Sequence, residues 1–197
     1  YTVKEVDSVA SFFKKKTVWK DEELTEQALK NETLRNYKYI HFATHGIIDE
    51  RDSHNSGLVL TQNKLSDGSI GDDGFLRVSE IFNLDLNADM VVLSACNTGR
   101  GRLIEGEGIL GLQHAVFTAG AANLVVSLWS VFDRSTALLI PEFYRQMLEI
   151  EDQFSWAVLL RYIGWSDTFF YGHKAAAMRQ AKRKMIEHPV YNHPVYW

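Results

Sequence analysis

Two short segments of the chain each place a reactive side chain where an apolar run meets a glycine-bearing turn. The only cysteine, Cys96, directly follows the apolar-rich residues 91–95. His45 follows the apolar-rich residues 39–43 and precedes Gly46. If both runs are strands of an open parallel sheet, their carboxyl-terminal ends line the ligand crevice. A thiol beside an imidazole is typical of nucleophilic catalysis, in which the histidine takes the thiol proton and later protonates the leaving group.

Other interpretations of these residues compete with that chemistry. A free cysteine is commonly a small, buried core residue. His41 lies four positions before His45 within the apolar run, where a hydrogen-bonded core histidine is the common case. A zinc site built from His41, His45 and Cys96 conflicts with strand geometry, because four residues of strand separate the two histidines by about 13 Å. We therefore expect no bound metal.

Residues 106–111 match the G-x-G-x-x-G pattern of dinucleotide-binding loops. In those loops the strand leads directly into the helix, whereas here residues 96–105 intervene. Glu105 and Glu107 would also repel a phosphate group. We therefore expect no nucleotide and no organic cofactor, and we interpret residues 99–108 as a flexible acidic loop that an activating partner orders.

Length and composition indicate one globular domain, and the charge, the cysteine count and the apolar runs limit its class further. A chain of 197 residues with 46% hydrophobic residues is long enough to bury a core. The net charge of −4 and the dispersed basic residues argue against nucleic-acid binding. A lone cysteine excludes an intrachain disulfide and is compatible with the cytoplasm. No apolar run approaches the roughly 20 residues that span a bilayer, so we expect no membrane association. The chain begins with Tyr1, which indicates a domain excised from a longer protein.

Hydrophobic periodicity predicts alternating helices and strands in the first two thirds of the chain. We expect helices near residues 3–13, 21–35, 75–84 and 109–119, and strands at residues 17–19, 37–43, 90–95 and 123–128, with a hairpin or edge strand at 57–61. This alternation indicates a layered α/β fold. The rest is expected to be helical at residues 135–149, 153–163 and 173–187, with Pro141 starting or bending its helix.

Four motifs taken together resemble the CHAT family, whose members are caspase-like peptidases of clan CD. They are Phe-Ala-Thr-His-Gly at 42–46, Ser-Ala-Cys-Asn-Thr-Gly at 94–99, Gly-Glu-Gly at 106–108 and Leu-Trp at 128–129. His45 precedes Cys96 by 51 residues, close to the roughly 50 of the caspase signature. The resemblance implies a single protease domain over residues 1–197. It also implies a caspase-like sandwich, with a mainly parallel central sheet flanked by helices.

The same resemblance implies further features of the site and its regulation. The backbone N–H groups of Gly46 and Cys96 would form the oxyanion hole. Residues 151–171 resemble either a family-specific insertion or an extra helix that covers the core, and the chain ends before the family's last strand. CHAT domains usually accompany tetratricopeptide-repeat (TPR) or other sensor modules, and several act in bacterial defence or regulated proteolysis.

The residues of the substrate cleft are the least determined by sequence. Trp129 is a candidate for one cleft wall or for a core position. Glu105, Glu107 and Asp133 could face a basic substrate side chain, but Asp133 could equally cap a helix that begins near Ser135. No preference for the substrate residue before the scissile bond follows from these observations.

These observations predict a cytoplasmic cysteine endopeptidase that cleaves a protein substrate after activation by a sensor or partner module. Cys96 is the expected nucleophile and His45 the expected general base and acid. Two alternatives stay open: a catalytically silent interaction module of the same fold, and a cysteine amidase that acts on a substrate other than a peptide. Rapid alkylation of Cys96 would distinguish an enzyme from the silent module.

Overall fold

The chain is organised as two compact units. The computed structural model describes residues 2–49, 52–63, 71–94, 96–97, 107–127, 129, 131–160 and 172–197. The sheet unit comprises Val18–Ser130, and the helical unit comprises Tyr1–Thr17 together with Val131–Trp197. Both His45 and Cys96 belong to the sheet unit.

The helices and strands are numbered along the chain. The helices are α1 (Thr2–Ser11), α2 (Glu26–Asn31), α3 (Val78–Ile81), α4 (Glu107–Thr118), α5 (Asp133–Leu160) and α6 (His173–Ile186). The strands are β1 (Tyr39–Phe42), β2 (His45–Ile47), β3 (Gly57–Val59), β4 (Phe75–Arg77), β5 (Met90–Leu93), β6 (Cys96–Asn97) and β7 (Leu124–Val126). Short 3₁₀ helices lie at Asp21–Glu23, Leu34–Asn36, Ser53–Asn55 and Pro194–Tyr196.

A three-stranded parallel sheet with the order β1-β5-β7 forms the apolar centre of the sheet unit. All four residues of the central strand β5 are buried. A continuous apolar run such as this one suits a parallel strand that is covered on both faces. The register sets Phe42 opposite Leu93, and Leu93 opposite Val126. The predicted mixed α/β class, with a parallel sheet, is confirmed.

The second sheet has four strands in the order β4-β3-β2-β6. β2, β3 and β4 pair antiparallel, whereas β6 pairs parallel with β2. The segment that was expected to be a hairpin or an edge strand is β3, which lies inside this sheet between β2 and β4. Gly57 is required there because a Cβ atom at this position would lie 2.3 Å from the backbone oxygen of Leu76.

Both sheets contribute to one hydrophobic core together with α2, α3 and α4. Core residues from the sheets include Phe42, Leu58, Leu76, Val91 and Leu93, and those from the helices include Leu29, Val78, Ile81, Leu112, Ala115 and Val116. Burial of this apolar surface is the main stabilising contribution to such a unit.

Among the residues that the structure describes, three helices make up most of the helical unit. α5 packs on α1 and on α6. Its buried side chains Phe143, Tyr144 and Met147 are matched on α6 by Ala177, Ala181 and Met185, which recur every four residues and so form one helix face. In the parts of the chain that the structure describes, no helix is both long and apolar enough to cross a bilayer.

The expected helix boundaries after residue 130 were wrong in one respect. α5 begins at Asp133, well before Pro141, and continues to Leu160, so the helices expected at 135–149 and 153–163 are a single helix. Packing of the apolar face of α5 outweighs the local cost of an internal proline. Of the segment 151–171, the part 161–171 lies outside the described residues.

Three expectations near the amino-terminal side were also wrong. Residues 17–19 form no strand. The helix expected over 21–35 is replaced by two 3₁₀ helices and the short α2, whose start is set by Thr25, because its side chain accepts a hydrogen bond of 3.1 Å from the Ala28 N–H. The helix expected over 75–84 begins instead as strand β4 and continues as α3.

Candidate active site

His45 and Cys96 occupy equivalent positions on two neighbouring strands. The chain leaves the parallel sheet at Phe42 and enters β2 at His45, and it leaves at Leu93 and enters β6 at Cys96. Cα pairing continues across both breaks, so that His45 is the register partner of Cys96 and Gly46 that of Asn97. Neighbouring strands are about 4.8 Å apart. The pairing therefore brings the two predicted catalytic positions together in space.

A backbone hydrogen bond joins the chain at the carboxyl-terminal ends of β1 and β5. The N–H of Ser94 donates to the carbonyl oxygen of Phe42 at 2.8 Å. This bond extends the β1-β5 ladder by one step towards His45 and Cys96. The linkers 43–44 and 94–95 have the same length. The register of the three-stranded sheet is therefore carried into the four-stranded sheet.

The polypeptide on either side of His45 is held by side-chain hydrogen bonds. The hydroxyl of Thr44 donates to the backbone oxygen of Val59 in β3. After β2, the buried Ser56 accepts a hydrogen bond of 3.0 Å from the Asp49 N–H, and its own backbone oxygen accepts one of 2.8 Å from Val78. The bonds of Thr44 and Asp49 attach the chain on either side of β2 to β3 and to the residue before it, and the bond from Val78 joins that residue to the start of α3.

β2 presents alternate residues to solvent and to the core. His45 and Ile47 are exposed, whereas Gly46 is buried. The imidazole is thus on the solvent side of the sheet, accessible to a large substrate. The backbone of Gly46 also pairs with Leu58 in β3, so the predicted oxyanion donor is an interior position of the sheet.

The acidic residues that follow His45 are engaged in their own loop. The carboxylate of Asp52 accepts hydrogen bonds from the His54 backbone at 3.0 Å and lies 3.1 Å from the His54 ring nitrogen. One carboxylate oxygen of Asp49 accepts from the Asp52 N–H at 3.2 Å. Through these contacts the two aspartates stabilise the loop that follows β2.

His41 lies in the other sheet. It belongs to β1, is half-buried, and is the register partner of Val92. The strand pairing therefore separates His41 from the His45 position, as the strand-length argument requires. Across the described ranges, no group of three or more histidine, cysteine, aspartate or glutamate side chains is arranged to hold a metal ion.

The predicted cleft residues are distributed over both units. Trp129 belongs to the sheet unit and is 39% exposed. Asp133 is the first residue of α5 in the helical unit and is exposed. Glu107 is the first residue of α4. Glu105 and most of the proposed acidic loop lie outside the described residues, and the roles of all four residues stay predictions.

A buried glutamate, which the sequence patterns did not single out, supports the edge of the four-stranded sheet. Glu26 is 2% exposed and accepts hydrogen bonds from the backbone of Gly74 at 2.9 Å and of Phe75 at 3.2 Å. Lys30 pairs with it at 2.8 Å and also with Glu80 at 2.9 Å. The only sequence signal for this arrangement is the Glu26–Lys30 spacing of one helical turn.

Charged pairs perturb the ionisation of side chains near β4. The hydrogen bond from Arg77 holds the pKa of the Asp73 carboxyl below its usual value, against an opposing effect of burial. Burial by itself would raise the pKa of Glu80, but hydrogen bonds from the Arg77 N–H and from Lys30 outweigh it and lower that pKa. Both carboxylates are therefore charged at neutral pH.

The fold and the pairing of His45 with Cys96 define an α/β domain with a candidate thiol–imidazole pair. Comparison with known families agrees: the CHAT domain model matches residues 1–197, the whole chain, and the protein therefore belongs to the CHAT family. This family falls within a caspase-like clan of cysteine peptidases, so the resemblance seen in the motifs is confirmed. Neither the curated proteins nor the solved structures contain a match to this chain.

Proposed function

We propose that the protein is a cysteine endopeptidase with Cys96 as nucleophile and His45 as general base and acid. One observation carries the proposal: the two residues are Cα partners on adjacent parallel strands, although they are 51 residues apart in the chain. Membership of the CHAT family supports the same reaction class. The complete fold that we propose is the caspase-like sandwich, with helices on both faces of the parallel sheet.

The proposed reaction uses the thiol and the imidazole in turn. The thiol proton of Cys96 moves to His45, and the sulfur attacks the carbonyl carbon of the scissile amide. The protonated imidazole then gives its proton to the departing amine as the C–N bond breaks, which leaves a thioester. Water hydrolyses the thioester with His45 again as base. No other co-reactant is needed.

An oxyanion hole completes the proposed site. The backbone N–H groups of Gly46 and Cys96 are the proposed donors to the oxygen of the tetrahedral intermediate. The loss of one such donor typically costs about 2.7–4 kcal/mol of transition-state stabilisation.

The biological setting forms part of the same proposal and is supported by family membership alone. We propose activation by a TPR-type or other sensor module, a cytoplasmic location, and a role in bacterial defence or regulated proteolysis. Trp129, Asp133, Glu105 and Glu107 are the proposed cleft residues.

Alkylation by iodoacetamide tests the thiol–imidazole pair directly. Because Cys96 is the only cysteine, mass spectrometry of the intact chain reports its labelling without ambiguity. At pH 6, where an unassisted thiol is almost fully protonated, we expect labelling about ten to a hundred times faster in the wild type than in His45→Ala. His54→Ala is the matched control, because His54 is an exposed histidine in a nearby loop whose ring pairs with Asp52.

Equal labelling rates for wild type and His45→Ala across pH 5–9 would contradict the proposal and favour the silent interaction module. Peptidase and amidase activities are then separated by incubating wild type and Cys96→Ala with candidate proteins and sequencing new amino termini. Termini that depend on Cys96 establish proteolysis. Rapid, His45-dependent labelling without new termini favours the amidase.

A further inference from the structure

The side of α6 that faces away from α5 is basic. α6 contains lysines and arginines but no acidic residue, and the side that packs on α5 is formed by the buried residues Ala177, Ala181 and Met185. With about 3.6 residues per turn, the opposite side of the helix includes four residues that we call the α6 basic face: Arg179, Lys182, Arg183 and Ile186. Three of them are exposed, and Lys182 is half-buried.

The two arginines of the α6 basic face differ from neighbouring cations in having no acidic partner. Lys184, on another side of the same helix, pairs with Glu142 at 2.8 Å, and Arg145 pairs with the same carboxylate. Among the described residues, neither Arg179 nor Arg183 forms an ion pair or a side-chain hydrogen bond. Their planar guanidinium groups therefore remain available for bidentate pairing with carboxylates from another molecule.

The carboxyl-terminal end of the α6 basic face is apolar. Ile186 lies one turn beyond Lys182 and is 56% exposed. The ammonium group of Lys182 lies 5.7 Å from the centre of the Trp197 ring, whose indole N–H donates to the backbone oxygen of Tyr191 at 2.9 Å. Glu187 follows as the C-cap residue, outside the four-residue face. A ligand that covers the whole face thus meets positive charge first and an apolar side chain next.

The α6 basic face belongs to the more positively charged of the two units. The helical unit has 12 lysines and arginines against 9 aspartates and glutamates, whereas the sheet unit has 9 against 16. The net charge of −4 for the whole chain conceals this difference. Attraction of an acidic ligand is therefore directed to the helical unit, because unlike charges concentrated on one surface steer association.

These features favour an acidic polypeptide over a membrane or a nucleic acid. A helix that lies in a membrane inserts its apolar side, but the apolar side of α6 is already packed on α5. Nucleic acids are held by many cations at once, whereas this face has three on a chain that is negative overall. Two carboxylates one helical turn apart, at about 6 Å along the axis, match the spacing of Arg179 and Arg183.

We propose that the α6 basic face is a docking site for an acidic segment of a partner protein. Two carboxylates of that segment pair with Arg179 and Arg183, and an apolar side chain beside them packs on Ile186. Lys182 adds positive charge between these contacts. The docking site is separate from the His45–Cys96 pair and does not depend on the proposed peptidase activity.

Binding of short acidic peptides to the whole chain tests the inference. The probes are fluorescently labelled, alanine-rich helical peptides with glutamates at positions i and i+4 and a leucine one turn before or after them. Rearranged probes have the same composition, with the glutamates on opposite sides of the helix. By fluorescence anisotropy at low salt we expect the wild type to bind one of the spaced probes at least about threefold more tightly than the rearranged ones, and more weakly as salt is added.

Charge reversal on the α6 basic face should weaken this binding. In the double variant Arg179→Glu with Arg183→Glu we expect a loss of about tenfold or more, because two attractions become repulsions. Lys14→Glu with Lys15→Glu is the matched control, since both lysines are exposed in the helical unit and the change in net charge is the same. Its affinity should stay within about twofold of the wild type.

Two further comparisons examine the chemistry of the contact. A probe with lysines in place of the glutamates should bind the arginine double variant more tightly than it binds the wild type. Ile186→Asp should remove the advantage of a leucine probe over the same probe with alanine at that position. Circular dichroism and thermal unfolding close to those of the wild type show that each variant retains the fold.

The remaining outcomes overturn the inference. If the wild type binds no acidic probe, or binds spaced and rearranged probes equally, the face does not recognise an acidic segment. An equal loss of affinity in the lysine control assigns the binding to net charge alone. Tighter, arginine-dependent binding of a single-stranded oligonucleotide or of vesicles that contain anionic lipid assigns the face to a nucleic acid or a membrane instead. Alkylation of Cys96 tests the peptidase proposal separately, and none of these results changes it.

Discussion

The two sheets of the sheet unit hold the same two chain segments in the same register but in different surroundings. Tyr39–Phe42 pairs with Met90–Leu93 in the parallel sheet, and His45–Gly46 pairs with Cys96–Asn97 in the four-stranded sheet, with every partner 51 residues apart. β5 is wholly buried, whereas His45 is exposed. The comparison indicates that the buried pair of strands sets the register and that its continuation carries this register to the two proposed catalytic residues.

The two sheets also differ in what holds them. Apolar packing dominates around β5. The four-stranded sheet depends in addition on polar contacts, such as the Thr44 hydroxyl on Val59, the buried Glu26 on the backbone of Gly74, and Arg77 on Asp73. A sheet with one face open to solvent cannot be stabilised by apolar burial alone. Hydrogen bonds and ion pairs therefore contribute part of its stability.

The largest expected effect comes from breaking the shared register. Insertion of one glycine between Ala43 and Thr44 lengthens one linker only, and a one-residue slip reverses which side chains share a sheet face. We expect labelling of Cys96 by iodoacetamide at pH 6 to fall to the rate of His45→Ala, while hydrogen exchange shows that β1 and β5 stay protected.

A compensating insertion provides the control for this prediction. A second glycine between Ser94 and Ala95 restores equal linkers, and labelling should recover at least in part. If the variant with only the first insertion still labels rapidly, the pairing of His45 with Cys96 does not depend on the register of the parallel sheet.

A smaller effect is expected when the stability lost by a substitution in each sheet is compared. Leu93→Ala removes a buried side chain at the end of β5, where the neighbouring core cannot close fully, and we expect a loss of about 2–5 kcal/mol in the free energy of unfolding. Ile47→Ala at the exposed end of β2 should cost no more than about 0.5 kcal/mol. Chemical denaturation of both variants measures the difference, and equal losses would contradict the assigned roles of the two sheets.

The smallest expected effect is a loss of stability of the four-stranded sheet at acidic pH. The pKa of Asp73 is lowered in the folded protein, so its pairing with Arg77 contributes stability above the unfolded pKa of about 3.9 and loses it as the pH falls through the lower folded value. Hydrogen exchange of β3 and β4, corrected for intrinsic rates, should show weaker protection at pH 3 than at pH 5, while that of β5 changes less.

The Asp73→Asn variant isolates this pair. Its protection in β4 should be lower than that of the wild type at pH 5, by less than about 1 kcal/mol because exposed pairs are screened, and the difference should be smaller at pH 3. If the difference in β4 protection between the wild type and Asp73→Asn were the same at both pH values, Asp73 would stabilise β4 by hydrogen bonding and not by its charge.

Much of the fold could be predicted from local patterns, and particular elements show where this stops. The apolar run at 90–93 is a buried strand, as its composition indicates, and the helix predicted at 173–187 is α6. Pro141, by contrast, lies inside α5, because the burial of Phe143 and Tyr144 and the packing of α5 on α1 and α6 outweigh a local penalty. The segments at 17–19 and 75–84 were assigned wrongly because their periodicity is short and ambiguous.

The amino-acid sequence by itself determined which side chains could react, the family, and the apolar runs that carry those side chains, because residue type and spacing are local properties. Only the tertiary structure decided that the 51-residue spacing is a strand register, that His41 lies in a different sheet from His45, and that Glu26 supports β4. These features depend on pairs of residues far apart in the chain, whose contacts form only when the core packs and the strands align.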